Sequence, residues 1–322
     1  MEKILITGIT GFVGSHIAEL CLKKKINLYG FKRYHLSNMR NINHIENQIN
    51  WIDCDMMDNK SVFKAIEEIK PDKIFHMASQ SFVSPSWDHP NLYMDANYRM
   101  TVNLLEACLS AGINPKILIP GSGEEFGEIN EDELPITEFT TIRPVNPYAV
   151  TKVAQDLIGY VYYRSYGLNI IRTRAFNHEG PRRDKVFGIP WYAYQIAKIE
   201  KGLQDPSMEV GHLDDKRNFT HVVDMVKAYW LALDKCNPGE LYLVGSEDQE
   251  DIHTFREALE ALISLSTNKS IKYKVVPKYV RPTQVPFLIC DNSKFSKLTG
   301  WKPEIGFKGI LIDTLDYWRS KV

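Results

Sequence analysis

Tyr148 and Lys152 lie four residues apart, and this spacing brings a phenol next to an ammonium group if the segment is helical. Pro147 suits the first turn of a helix, and side chains four apart on a helix share one face, with Cβ atoms roughly 5–6 Å apart. A free phenol has a pKa near ~10, so it is a poor base at neutral pH until a nearby cation favours the phenolate. We expect Lys152 to lower the pKa of Tyr148 toward cellular pH, which would make Tyr148 a general base.

A Tyr and a Lys at this spacing also occur together by chance, so the pair needs further polar groups to indicate a site. Ser122 and Glu124 stand some two dozen residues earlier, directly after a predicted strand at Lys116–Pro120. A hydroxyl that can hydrogen-bond a reacting oxygen and a carboxylate that can remove a proton complete an acid–base set. The structural alternative for Glu124 is a carboxylate that caps a turn or pairs with a lysine. The candidate catalytic residues are therefore Ser122, Glu124, Tyr148 and Lys152.

A glycine-rich turn follows the first predicted strand, Lys3–Thr7, and precedes a helical pattern from Ser15 to about residue 22. Strand, glycine turn and helix in this order let backbone N–H groups and the helix N-terminus receive a pyrophosphate. The glycine spacing is G-x-x-G-x-x-G instead of the usual G-x-G-x-x-G, and the turn alone could be only a tight turn. We predict dinucleotide binding by Gly8, Thr10, Gly11, Phe12, Val13 and Gly14.

The second predicted strand, Asn27–Phe31, ends in Lys32 and Arg33, where an NAD enzyme would usually carry an acidic residue. Cations at this position favour a 2′-phosphate, so we predict NADP as the cofactor, with a solvated basic turn as the alternative. Open parallel sheets bind ligands at the carboxyl ends of their strands. We therefore predict cofactor contacts from Asp55 and Met56 after strand three, from Ala78 after strand four, and from Tyr148 and Lys152.

Strands alternate with helices through the first half of the chain, which predicts an α/β fold with a Rossmann-type doubly wound parallel sheet. One long helix is predicted at Leu92–Ala111 and a sixth strand at Leu168–Thr173. After Arg174 the segments become polar and rich in turns, so we predict an NADP-binding domain over residues 1–175 and a smaller C-terminal α/β substrate lobe over 176–322. We expect some elements of the second half to return to the main sheet.

Composition excludes several classes of protein. With 322 residues, 44% apolar content and a net charge of −1, the chain has the composition of a globular enzyme and no basic footprint for nucleic acid or an anionic membrane. The five cysteines are scattered without C-x-x-C spacing, which indicates neither a disulfide framework nor a metal site. No apolar run reaches membrane-spanning length. We expect a cytoplasmic protein.

With Thr7-Gly8-x-x-Gly11-x-x-Gly14, the Ser122 and Glu124 pair and Tyr148-x-x-x-Lys152 all present, the chain resembles the extended short-chain dehydrogenase/reductase family over essentially its full length. Within that family it is most similar to the GDP-mannose 4,6-dehydratases and the related GDP-4-keto-6-deoxymannose reductases. The closer likeness is carried by the segments 174–183, 210–219 and 281–285.

The resemblance implies a GDP-sugar substrate, with GDP-mannose the first choice. Asn177 would contact its phosphates, while Arg217 and Arg281 would hold the pyrophosphate and ribose, and arginine forks suit a diphosphate. Ser79 and Arg182 are further predicted substrate contacts. Singly, an arginine is more often a surface ion-pair partner. The loop from Lys32 to residue 40 is similar to a dehydratase loop that touches a neighbouring subunit's cofactor, which implies a homo-oligomer, either a homodimer or a homotetramer.

The implied reaction is that of a lyase in nucleotide-sugar metabolism and deoxysugar biosynthesis, which converts a GDP-hexose to a GDP-4-keto-6-deoxyhexose. Tyr148 would take the proton from O4, Ser122 would hydrogen-bond the same oxygen, Lys152 would orient the nicotinamide ribose, and Glu124 would remove the C5 proton. Gly123 departs from the dehydratases, which usually carry a polar side chain there. The alternatives are an NADPH-dependent 4-keto reductase, a GDP-heptose 4,6-dehydratase and a non-catalytic NADP sensor.

Overall fold

Within residues 2–322, which the computed structural model describes, the chain builds a seven-stranded parallel sheet and a smaller lobe that packs beyond its carboxyl edge. The strands are β1 (Lys3–Thr7), β2 (Asn27–Lys32), β3 (Asn50–Asp53), β4 (Lys73–His76), β5 (Lys116–Ser122), β6 (Ile170–Ala175), β7 (His178–Glu179), β8 (Ser207–Val210), β9 (Lys216–Asn218), β10 (Thr220–His221), β11 (Leu241–Val244), β12 (Ile252–Thr254), β13 (Lys272–Val275) and β14 (Phe287–Leu288). The helices are α1 (Phe12–Lys23), α2 (Asn59–Ile69), α3 (Pro90–Met94), α4 (Met100–Ser110), α5 (Pro147–Tyr166), α6 (Gly188–Glu200), α7 (Val222–Lys235), α8 (Phe255–Leu265), α9 (Ser293–Thr299) and α10 (Phe307–Arg319).

The main sheet has the strand order β11-β6-β5-β4-β1-β2-β3, and its strand pairs are parallel. The chain moves outward from β1 in one direction through β2 and β3, then crosses back to β4 on the other side. This reversal creates a crevice at the carboxyl ends of β1 and β4, where open α/β sheets bind ligands. The prediction of a Rossmann-type doubly wound sheet is confirmed.

Helices cover both faces of this sheet, as the apolar character of its strands requires. One core contains Ile4, Ile6 and Leu118 of the strands with α1 and α7, and the other contains Leu5, Ile74 and Ile117 with α2, α4 and α5. The two cores fix α1 and α5 on opposite faces. The N-termini of both helices lie at the carboxyl edge of the sheet, next to the crevice.

The smaller lobe has its own apolar core between α6, α8 and α10 and the strand pair β8 and β13. Its inner side carries β9 flanked by β12 and β14. Sequence patterning describes residues 212–220 only as a polar run. The strands β9 and β10 form there because their partners, β12, β14 and β7, come from distant parts of the chain.

The predicted helix at Leu92–Ala111 is interrupted. A π-helical turn at Asp95–Arg99 separates α3 from α4, and it places the buried side chain of Asn97 where it bonds Gln80 and Thr151. π turns concentrate at functional sites, because the extra residue redirects one side chain. Likewise β5 and β6 run two residues beyond their predicted ends, since Ser122 pairs in register with Ala175.

The strand β11 belongs to the main sheet although it lies 66 residues beyond Ala175 in the sequence, with Leu241 paired to Arg172. Helix α7 packs on α1 in the same layer. The structure therefore places these later elements in the main sheet, while the division of the chain at residue 175 stays a prediction. In the part of the chain that the structure describes, no helix has the length and apolar content needed to traverse a bilayer.

Candidate active site

The glycine turn between β1 and α1 lies at the sheet's crevice and is tightly packed. Gly8 has a φ of +65°, and a Cβ there would meet the backbone nitrogen of Ala78 at 2.7 Å. A Cβ on Gly14 would lie 2.9 Å from the Cα of Ile9. Larger residues at these positions would push β1, β4 and α1 apart, so the sequence requires glycine for this approach.

The N-terminus of α1 is free to bind an anion. Gly11 is its N-cap and provides no side-chain cap, and the first turn contains no acidic residue. The N–H groups of that turn, on Phe12, Val13 and Gly14, have no intrahelical acceptors. This cradle of glycines and unpaired donors fits the diphosphate of a dinucleotide. Thr10 lies in the same turn, where its carbonyl accepts a hydrogen bond from Asn41 at 3.2 Å.

Two cations lie at the carboxyl end of β2, the predicted position of the cofactor ribose. Lys32 is half-buried, with its ammonium 5.3 Å from the centre of the Trp51 ring. Arg33 is exposed, and its backbone N–H donates to Ser37 at 2.8 Å. The side chain of Arg33 is therefore accessible to solvent and to a ligand.

The predicted cofactor contacts Asp55 and Met56 follow β3. The carboxylate of Asp55 accepts the N–H of Met57 at 3.0 Å, and the carbonyl of the buried Met56 accepts from Asn103 at 2.8 Å. After β4, Ala78 donates its N–H to Thr7 at 3.1 Å, while Ser79 bonds the π-turn side chain Asn97 at 3.0 Å. These interactions fix the edge of the crevice.

The turn after β5 presents Ser122 and Glu124. The Ser122 hydroxyl accepts the N–H of Glu124 at 3.2 Å, so this candidate catalytic side chain also caps the turn. Glu124 is 15% exposed in the cleft, with one oxygen bonded by Asn146 at 2.9 Å and the other 3.5 Å from Arg281. A carboxylate at the cleft with one loosely held oxygen can act on a bound ligand.

Tyr148 and Lys152 occupy the first two turns of α5, which begins at Pro147 with Asn146 as N-cap. Both side chains are buried. The backbone N–H of Tyr148 donates to Ser86 at 3.1 Å, and Lys152 donates to the carbonyl of Pro120 at 2.6 Å and to Gln155. The helix thus holds the phenol beside the β5 turn.

The electrostatics of the pair differ from the sequence-based expectation. Burial raises the pKa of Tyr148 above its usual range, while Ser122 and Arg183 act to lower it. Burial also lowers the pKa of Lys152 to about 8, against the opposing effect of Glu125 and Asp156. The expectation that Lys152 lowers the pKa of Tyr148 is therefore wrong for the protein without ligands. Desolvation of the phenol dominates, and the Lys152 ammonium points to Pro120 and Gln155.

Two of the predicted substrate arginines lie around Glu124. Arg217 is 2% exposed in β9 and bonds the carbonyl of Lys216 at 2.9 Å, and burial lowers its pKa. Asp215, Glu124 and Arg281 act on the charge of Arg217, so these groups form one cluster between the lobes. A buried arginine with a single carboxylate contact at 3.5 Å can receive a second anion.

Two other predicted substrate contacts differ in their placement. Asn177 follows β6 at the sheet edge, and its carbonyl accepts from Thr220 at 3.0 Å. Arg182 is not brought to the Glu124 cluster: its guanidinium bonds Ser15 at 3.2 Å and Glu19 on α1. The chain reaches this position through Gly180 and a left-handed Arg182 backbone, with φ of +74°, which directs the side chain back onto α1.

Sequence reasoning missed several buried groups. Glu125, Arg174 and Asp156 form a charged network behind the β5 turn, and Arg183 lies between the rings of Phe12 and Phe187 at 5.6 and 4.1 Å. A charged residue directly after a predicted core strand, as Arg174 is after Leu168–Thr173, is the signal that could have found the network.

Comparison with known proteins identifies relatives of this chain in sequence and in structure. The family model described as GDP-mannose 4,6 dehydratase matches residues 5–314. GDP-mannose 4,6-dehydratase from Yersinia enterocolitica is 32% identical, over 95% of this chain and 90% of its own. GDP-6-deoxy-D-mannose reductase from Pseudomonas aeruginosa is 29% identical, over 100% and 98%. The solved structure of RMD from Pseudomonas aeruginosa complexed with NADPH superimposes with a TM-score of 0.83 at 28% identity, covering 100% of both chains.

Proposed function

The chain belongs to the GDP-mannose 4,6-dehydratase family, and we propose that it is a lyase that converts GDP-mannose to its 4-keto-6-deoxy product. The observation that carries the proposal is the placement of Glu124. It lies in the cleft beside Ser122 and Tyr148 and contacts Arg281 of the smaller lobe. Oxidation at C4 alone needs only the serine, tyrosine and lysine, whereas elimination of water also needs a base for C5.

The first proton transfer belongs to Tyr148. Its phenolate takes the proton of the sugar O4 while the Ser122 hydroxyl hydrogen-bonds the same oxygen. Because burial raises the pKa of Tyr148, the base form is scarce at low pH, and the rate should rise with pH. When bound beside Tyr148 and Lys152, NADP would supply the hydride acceptor for C4 of the sugar and the hydride donor for C6.

The second proton transfer belongs to Glu124. A ketone at C4 acidifies the C5 proton, which the Glu124 carboxylate removes as water leaves from C6. Asn146 fixes one carboxylate oxygen at 2.9 Å and so orients the other toward the cleft. Gly123 offers no acid for the leaving hydroxyl, so Glu124 returns the proton it has taken. The group leaves as water. C5 then takes a proton from the solvent as C6 receives the hydride, Tyr148 releases the O4 proton to the solvent, and no net oxidation results.

NADP is the proposed cofactor, and the cations after β2 support it. The α1 cradle would hold the diphosphate, Lys32 and Arg33 would hold the 2′-phosphate, and Tyr148 and Lys152 would hold the nicotinamide ribose. A relative of the same fold binds NADPH. Arg217 and Arg281 would hold the GDP diphosphate from the opposite side, which positions the sugar between the two lobes.

A reductase that consumes NADPH on a GDP-4-keto-6-deoxy sugar is the second candidate, and Gly123 favours it. A Cβ at this position would approach the Phe176 ring at 3.2 Å, so the aromatic ring occupies the space in which a second polar side chain would stand. The Pseudomonas aeruginosa reductase matches the chain over its full length. The high pKa of Tyr148 also suits a phenol that donates its proton to a ketone.

We further propose that the enzyme is a cytoplasmic homo-oligomer, a dimer or a tetramer. Helix α5 exposes an apolar stripe of Val150, Leu157 and Val161, which are 44%, 47% and 46% exposed and lie seven and four residues apart. A helix face of this kind is usually covered by another helix. All five cysteines are buried and free, which supports a reducing compartment.

The deciding experiment incubates the protein with GDP-mannose and catalytic NADP⁺ in deuterated water, and follows the sugar by mass spectrometry. Loss of one water with deuterium gained at C5 supports the lyase. Glu124→Gln is the matched variant, and it should stop deuterium incorporation without preventing cofactor binding. No conversion of GDP-mannose, together with stoichiometric oxidation of NADPH when GDP-4-keto-6-deoxymannose is supplied, would support the reductase.

A further inference from the structure

Two adjacent glutamates follow Ser122, and the proposed reaction uses only the first. Glu124 faces the cleft, whereas Glu125 is 0% exposed and lies beneath the turn. A carboxylate is expensive to bury, and a capping side chain alone could be neutral. An ionisable residue at position 125 therefore calls for an explanation in terms of its surroundings.

Both oxygens of Glu125 are occupied by donors that cannot accept a proton. One oxygen accepts the backbone N–H of Ser122 at 2.7 Å, and the other accepts the Nε–H of Arg174 at 2.7 Å. Arg174 continues to Asp156 on α5 at 2.9 Å. Burial raises the pKa of Glu125 to about 7, but the two donors favour its ionised form. It does not reach the substrate, because the side chain is fully buried beneath the turn and both oxygens accept hydrogen bonds there.

The two carboxylates of the network act on the charge of the catalytic lysine. Lys152 lies one helical turn before Asp156, and its ammonium bonds the carbonyl of Pro120, two residues before Ser122. Burial lowers the pKa of Lys152 to about 8, and Glu125 is the first group, ahead of Asp156, that counteracts this effect. Without these carboxylates a buried ammonium would lose its proton more easily.

We propose that Glu125 is a positioning residue for the reaction, one that fixes the Ser122 backbone at the sheet edge and, with Asp156, keeps Lys152 charged. The proposal rests on the proposed function for the role of Ser122 and Lys152. It adds a division of labour between two neighbouring glutamates. Glu124 moves protons in the cleft, and Glu125 acts through Ser122 and Lys152 from beneath it.

The remaining charged and titratable groups around the pair are consistent with this assignment. Lys152 also faces His76 of β4, whose pKa burial lowers to about 3, so that the neutral ring adds no positive charge beside the ammonium. Arg174 of β6 carries the positive charge that Glu125 and Asp156 share, and Arg172 of the same strand lies 3.0 Å from Asp156. Lys152 therefore depends on the two carboxylates.

Tyr148 is influenced by the same network. Besides Ser122, it faces Glu124 and Glu125, which raise its pKa, and Arg183, which lowers it. Tyr229 of α7 is its further titratable neighbour. Removing the charge of Glu125 should therefore lower the pKa of Tyr148 and of Lys152 together, and move both limbs of a pH profile toward acid.

The test titrates Lys152 directly in protein carrying ¹³C-labelled lysine, with Lys152→Arg assigning its NMR signal. This measurement needs neither substrate nor cofactor, so it stands even if the proposed function fails. Glu125→Gln should lower the titration midpoint by about one pH unit, and at pH 8 that corresponds to about a fivefold loss of charged Lys152. Asp156→Asn should lower it by less.

Each variant has a defined part in the test. In Glu125→Gln the carboxamide cannot accept from both Ser122 and Arg174, so this variant costs stability; if it does not fold, Asp156→Asn decides the Lys152 claim, because it keeps the Ser122 contact. Glu106→Gln, which removes a carboxylate bonded to Tyr162 outside the network, is the control and should leave the midpoint unchanged. Unmoved midpoints in both network variants would overturn the proposal.

The Ser122 claim has its own readout in turnover at each variant's optimal pH. Glu125→Gln should reduce kcat there more than Asp156→Asn does, with KM for the GDP-sugar unchanged, since only Glu125 holds the Ser122 backbone. GDP-mannose conversion serves as the assay, or NADPH oxidation with the keto sugar if the reductase reading is correct. Equal kcat values in the two variants would overturn the assignment of Glu125 to Ser122.

Discussion

Replacing Tyr148 with Phe removes the hydroxyl that is the proposed base and leaves the aromatic ring in place. The ring packs beside Val83 and Tyr93, and these contacts survive the substitution. Ser122 keeps the N–H of Glu124 as a hydrogen-bond partner at 3.2 Å, so no buried polar atom loses its only partner. We therefore expect the free energy of unfolding to change by no more than about 1 kcal/mol. Loss of a positioned acid–base group should lower kcat by about 10²- to 10⁴-fold.

The assay measures kcat with GDP-mannose, NADP binding by calorimetry and stability by urea unfolding in the same preparations. Tyr162→Phe is the matched control, because this phenol lies on the same helix but bonds Glu106 away from the cleft. It should keep kcat and NADP binding unchanged. A Tyr148→Phe variant that keeps kcat within about tenfold of the original protein would refute the role of Tyr148 as the base.

Three further predictions concern the cofactor, the substrate and stability. Arg33→Ser should weaken NADP binding by about 10- to 100-fold and leave NAD binding unchanged, as measured by calorimetry; equal losses for both would contradict a 2′-phosphate contact. Arg217→Gln should raise KM for GDP-mannose by about 10- to 100-fold with a smaller change in kcat, because it removes a charged contact to the diphosphate; an unchanged KM in steady-state kinetics would place the diphosphate elsewhere. Arg319 holds the pKa of Glu200 down at about 2. The carboxylate of Glu200 therefore contributes stability above pH ~4.5 that is lost as the pH falls toward 2, and the unfolding free-energy difference between Glu200→Gln and the original protein should shrink from pH 7 to pH 3.

Elements set by local pattern could be predicted closely. The first strand, Lys3–Thr7, has the predicted bounds, and the second, Asn27–Lys32, ends one residue beyond its predicted end, since a short apolar run and flanking polar residues define both. The π turn at Asp95–Arg99 could not be predicted, because it is stabilised by the bonds of Asn97 to Gln80 and Thr151, which lie far along the chain. The extra pairs at the end of β5 likewise depend on the position of β6.

The site divides in the same way. In a doubly wound sheet the carboxyl ends of the strands and the N-termini of the following helices share one edge. The order of strands and helices in the sequence therefore predicts that four residues meet there: Ser122, Glu124, Tyr148 and Lys152. The direction of the Arg182 side chain depends on a left-handed backbone and an acceptor on α1, which no spacing encodes. The pKa of Tyr148 depends on burial, and burial is a property of the finished fold.

Strand β11 has a consequence for the way this protein is made. During synthesis the first six strands leave the ribosome well before residue 241, so β6 remains a bare edge with open backbone hydrogen-bonding groups. The nascent sheet can be completed only once β11 has emerged, after α6 and α7. A fragment that ends at residue 175 should consequently be a substrate for chaperones and prone to self-association, and cofactor capture should come late, when most of the chain has been synthesised.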